Sequence, residues 1–121
     1  LLNWLYAPGI GEDKVRLVAQ AGAPQYVCSA VWCWNALLPR LDDSWNNISR
    51  LARYGVKYGA VGYLVTDWGD YGHVNDPRMA VSGMIFGAQC AWNPMAHIQG
   101  EAGCGDGEEG SAAGYADAAA A

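Results

Sequence analysis

The chain has 121 residues, 52% hydrophobic and 16% charged, which suits one small domain with a packed core and excludes a disordered chain. Its formal charge of −5 comes from residues 100–121, where Glu101, Asp106, Glu108, Glu109 and Asp117 stand without a Lys or Arg; residues 1–99 are balanced. With no basic stripe and no run near the ~18 apolar residues of a spanning helix, the expected partners include neither nucleic acid nor membrane.

Leu1–Ala7 reads as a short strand ended by Pro8 and Gly9. Residues 12–21 then carry a helical stripe of Val15, Leu17, Val18 and Ala21, with acids in the first turn and Gly22 as a stop. A second apolar strand over residues 25–31 runs into Trp32, Cys33, Trp34 and Asn35. The next helix is expected to start at an Asp43 or Ser44 cap and to bury Trp45, Ile48, Leu51, Ala52 and Gly55. Arg50, Arg53 and Lys57 fall on its other face.

The third strand, from Ala60 to Val65, is near-continuously apolar, the pattern of a strand buried on both faces. At Thr66 it switches into Asp67, Trp68, Asp70, Tyr71 and His73, hinged by Gly69 and Gly72. Asp76-Pro77 is a helix start, and the helix to Trp92 is rich in small residues that suit close packing on a sheet. Trp45 and Trp92, on helical patterns, are expected to pack beneath the helices. Residues 1–94 are read as the ordered part and residues 95–121 as a flexible, acidic, Gly/Ala-rich tail.

Cysteines at 28, 33, 90 and 104 form neither a zinc pattern nor a disulfide framework, so buried free thiols are expected. Leu1–Leu5 lacks the basic region of a signal peptide. A start in mid-strand without Met reads as a fragment, and the compartment is left open.

The order β-α-β-α-β-α predicts an α/β fold with parallel strands, either part of a (β/α)8 TIM barrel or a small open sheet. Six Trp and seven Tyr stand against one Phe, a bias toward aromatic groups with a polar handle. Every strand ends in such groups with polar company: Asn3, Trp4 and Tyr6; Trp32, Trp34 and Asn35; Asp67, Trp68 and Asp70. A pyranose has apolar faces edged by hydroxyls, so an aromatic wall beside carboxylates or amides fits a sugar. The candidate binding residues are Trp4, Trp34, Asp67, Trp68, Asp70 and His73. Asp67 and Asp70 also raise a catalytic pair, although three residues apart on one loop they are poorly placed to straddle a glycosidic bond. With His73 they raise a metal site, but the loop offers no further ligand, and no metal or cofactor is expected.

The run NISRLARYGVKYGAVGYLVTDWGDYGH, followed by FGAQCAWN, resembles the C-terminal part of the catalytic barrel of glycoside hydrolase family 20, the exo-β-N-acetylhexosaminidases. The resemblance covers residues 1–94 and implies the last three βα units, strands six to eight. It implies a retaining, substrate-assisted hydrolysis that removes terminal N-acetylhexosamine from glycans. The catalytic Asp-Glu pair of that family would lie upstream of Leu1, leaving this chain the sugar-binding rim and no catalytic residue. By the same resemblance Trp68 would wall the pocket, Asp70 would bind sugar hydroxyls and Trp4 would flank the acetamido group. Asp70 stands where the family commonly has Glu, and Trp32-Cys33-Trp34 stands where it carries a Tyr. The alternative is a non-catalytic carbohydrate-binding or assembly module using the same rim.

Overall fold

The helical and strand periodicities are realised in the expected order. A computed structural model describes residues 1–72 and 74–96. It contains β1 (Leu2–Trp4), α1 (Asp13–Gln20), β2 (Tyr26–Val31), α2 (Leu41–Lys57), β3 (Gly62–Asp67) and α3 (Val81–Trp92). The strands form one parallel sheet in the order β1-β2-β3, with Trp4 level with Cys28 and Cys28 level with Leu64. The chain is therefore an α/β fold.

All three helices lie on one face of this sheet. Val15 of α1 and Leu51 of α2 pack on Leu5 and Val27, while Ile48 and Ala52 of α2 and Cys90 of α3 pack around Val31. Right-handed crossovers between strands that are neighbours in both sequence and space put every helix on the same side. Small residues bring α3 close, as expected. A Cβ on Gly83 would sit 2.4 Å from Cγ2 of Val31, and one on Gly87 would sit 2.5 Å from Cγ2 of Val65.

The opposite face carries Leu2, Trp4, Tyr26, Cys28, Ala30, Leu64 and Thr66 by strand alternation, and none of the described helices covers it. The expectation that β3 is buried on both faces therefore fails in these residues: Leu64 is 39% exposed. Its apolar character on both sides is real, but the crossovers supply cover for only one.

Three local expectations also shift. β3 runs on through Thr66 and Asp67, which pair with Ala30 and Val31. α2 begins at Leu41, and Ser44 has a different task from capping: its hydroxyl donates to the Arg40 carbonyl (2.8 Å) and accepts from the Trp32 amide (2.9 Å). Asp76 does cap, accepting from the Arg78 amide at 2.9 Å, but the first turn, Pro77–Ala80, is 3-10 before α3 proper.

Trp45 packs as expected, stacked on Phe86 at 4.7 Å with planes 6° apart. Trp92 does not: it is 89% exposed. The buried stripe of α3 is Gly83, Gly87 and Cys90, and Trp92 falls off that i, i+4, i+7 pattern. Cys28, Cys33 and Cys90 are buried free thiols. Cys104 and residues 97–121 of the expected tail lie outside the described residues.

Candidate functional site

The strands' C-terminal ends bring the expected aromatic groups together. Trp4 ends β1, Trp34 follows β2, and Trp68 follows β3 directly. With Tyr6 and Asp70 they line one open cavity of about 360 Å3, at the lower end of the ~300–1,000 Å3 usual for ligand sites. Trp4 meets Trp68 edge to face at 5.7 Å and 71°. Tyr6 sits between the others, 5.7 Å from Trp34 and 6.3 Å from Trp68.

Tyr6 is the central residue that sequence reasoning left out of the candidate set. Its signal was parity with Trp4, since alternate residues share a face. The phenol reaches from beyond β1 to the Thr66 side chain on β3 and to the Trp68 indole. Burial pushes this phenol up, partly offset by those two hydrogen bonds, so it is a neutral donor and acceptor at physiological pH. Thr66 in turn donates to the Ser29 carbonyl at 2.9 Å.

A second set of residues holds the rim in place. Asn47 of α2, fully buried, donates to the carbonyls of Leu5 (2.8 Å) and Ala7 (3.0 Å) and accepts from the Ala30 amide (3.1 Å). It thereby satisfies the backbone on either side of Tyr6, where strand pairing has stopped. The Trp32 indole donates to the Tyr6 carbonyl at 2.7 Å and packs on Trp34 at 4.5 Å. Arg40 lies over the Trp32 ring, 5.0 Å from its centroid, and pairs with Asp43.

The two acids of the loop part company. Asp70 lines the cavity, whereas Asp67, on the same face of β3 as Tyr63 and Val65, lies by Cys33 and Asn75 on the helix side. Burial, reinforced by the Asp67 charge, pushes the Cys33 thiol up to about 11. His73 lies outside the described residues. Among the described residues no group of three or more His, Cys, Asp or Glu is placed to hold a metal ion. None of their helices is long and apolar enough to cross a membrane.

Cavity size alone would pick a different place. A groove of about 590 Å3 between α2 and α3 is larger, but Trp45, Phe86 and Ile85 line it with neutral polar groups only. The rim cavity combines three indoles, a phenol and a carboxylate, and that chemistry selects it.

No protein-family model matches this chain, and no curated protein or solved structure matches it either.

Proposed function

We propose that the chain is the sugar-binding part of a β-N-acetylhexosaminidase-like barrel, related to glycoside hydrolase family 20, with its catalytic Asp-Glu pair supplied from elsewhere. The observation that carries the reading is the convergence of Trp4, Tyr6, Trp34, Trp68 and Asp70 on one cavity at the strands' C-terminal ends. Sequential strand order with all helices on one face is the winding of a (β/α) barrel and supports the same reading. In that barrel the remaining strands would cover the face that Leu2, Tyr26 and Leu64 leave open. Trp68 would wall the sugar and Asp70 would take its hydroxyls.

One observation favours the second reading, a non-catalytic carbohydrate-binding module. Glycoside hydrolysis usually needs two carboxyl groups at the scissile bond, and even the substrate-assisted route needs a carboxyl acid beside the one that orients the substrate; Asp70 is the one carboxylate among the described lining residues. A chromogenic N-acetylglucosaminide tests the difference. Both readings expect no turnover by this chain, and turnover would refute both. Restored hydrolysis when strands one to five are supplied in trans supports the barrel; sugar binding with no such rescue supports the module.

A further inference from the structure

Helix α3 has two apolar sides. Gly83, Gly87 and Cys90 make the buried one, with Gly83 against Val31 and Gly87 against Val65 of the sheet. About 200° around the helix from Gly83 runs a second stripe, Val81, Ile85, Ala88 and Trp92. All four are exposed, Ile85 by 65% and Trp92 by 89%. No residue from Val81 to Trp92 is charged. A surface helix ordinarily turns a polar face to water, and one that is apolar all round has cover on both sides. The 4-3-4 spacing of the outer stripe is that of the seam along which one helix packs on another.

The seam complements itself when reversed. Two copies of α3 laid antiparallel set Trp92 against Val81 and Ile85 against Ala88, a larger side chain opposite a smaller one at every level. A parallel pair would set Trp92 on Trp92 and leave a gap between two Ala88. The charges agree with the antiparallel arrangement. α3 has no acid in its first turn and no base in its last, so its dipole is uncompensated at both ends. An antiparallel copy places the positive end of each helix beside the negative end of the other. The groove that borders the seam at Ile85 has no charged residue among its described lining, so a two-fold axis there opposes no like charges. We infer that the outer seam of α3 is a two-fold interface with a second copy of this chain. It points away from the sheet and is independent of sugar binding and of whether further strands close a barrel.

Sedimentation equilibrium of the 121-residue chain provides the test. One short helix pair is a small interface, so a reversible dimer is expected within about 10–500 μM. Ile85→Glu should weaken it at least about tenfold while leaving the urea midpoint unchanged, since Ile85 is exposed in the single chain. Leu64→Glu, on the open face of the sheet, should leave the dimer intact. Val81→Glu and Trp92→Lys should each weaken association, and the two together should associate more tightly than either alone. Antiparallel pairing brings position 81 of one copy to position 92 of the other, whereas within one helix they stand ~17 Å apart. A double variant weaker than both single ones overturns the antiparallel pairing. A dimer broken by Leu64→Glu and indifferent to Ile85→Glu overturns the inference and moves the contact to the sheet. A monomer at every concentration also overturns it, and leaves the seam to residues 97–121 or to an unlike partner.

Discussion

Trp4 and Trp68 meet edge to face although their strands, β1 and β3, are separated by β2. The contact passes over β2 because the residues beneath it, Cys28 and Ala30, are small. Both are fully buried on a face that no described helix covers, so among the described residues the aromatic side chains are their cover. Fold and site are thus one construction: the indoles that would grip a ligand also shield the middle strand.

The first prediction concerns Trp68. It is 37% exposed and helps cover the middle strand, so Trp68→Ala should lower stability as well as weaken sugar binding about tenfold, the share of one aromatic wall. Titration followed by NMR would check it. Unchanged affinity would remove Trp68 from the site.

Asn47 offers a stability test with a clear cause. Asn47→Ala removes the side-chain partner of the Leu5 carbonyl and of the Ala30 amide, leaves the Ala7 carbonyl to the Ile10 amide alone, and should cost about 2–4 kcal/mol in urea unfolding. Asn47→Asp keeps the acceptor for the Ala30 amide but aims a carboxylate at the carbonyls of Leu5 and Ala7. It should be at least as damaging. A mild effect of the Asp variant would mean the two donated bonds contribute little.

Gly83 reverses the usual rule for helices. Gly to Ala inside a helix ordinarily gains up to ~1 kcal/mol. Here the added methyl would meet Val31, and overpacking should instead cost about 1–3 kcal/mol. In a Val31→Ala background the same substitution should become neutral or stabilising, a sign change that a double-mutant cycle reads directly.

Stability should fall at alkaline pH. Burial pushes the thiols of Cys33 and Cys90 up to about 11, from an ordinary 9.0. Both are neutral when protonated, and between those values the unfolded chain holds fewer protons than the folded one. Their contribution is therefore complete below about pH 9 and lost as pH rises through about 11. Urea midpoints across that window should decline, and a Cys33→Ala, Cys90→Ala double variant should decline less. Equal slopes would assign the loss to other groups.

The sequence made the rim legible and hid its supports. Trp4, Trp34 and Trp68 could be placed together because each follows a strand, and parallel strands deliver their ends to one side. Asp67 was harder to place. β3 extends two residues past its apolar run, and strand parity then turns that side chain toward Cys33 and Asn75. Ser44 and Asn47 interrupt the apolar stripe of α2 at positions matching Ile48 and Leu51, which marks polar groups sent inward to loop backbone. Only the structure names their partners. The open face of β3 was unreadable from composition, because an apolar residue looks the same whether or not anything rests on it.

Ala30 and Cys28 also set how closely the rings of the outer strands can meet. Ala30 pairs with Thr66 on the same face of the sheet, next to the strand ends that carry Tyr6 and Trp68. Ala30→Leu should therefore part the Trp4–Trp68 contact although no residue lining the cavity is changed.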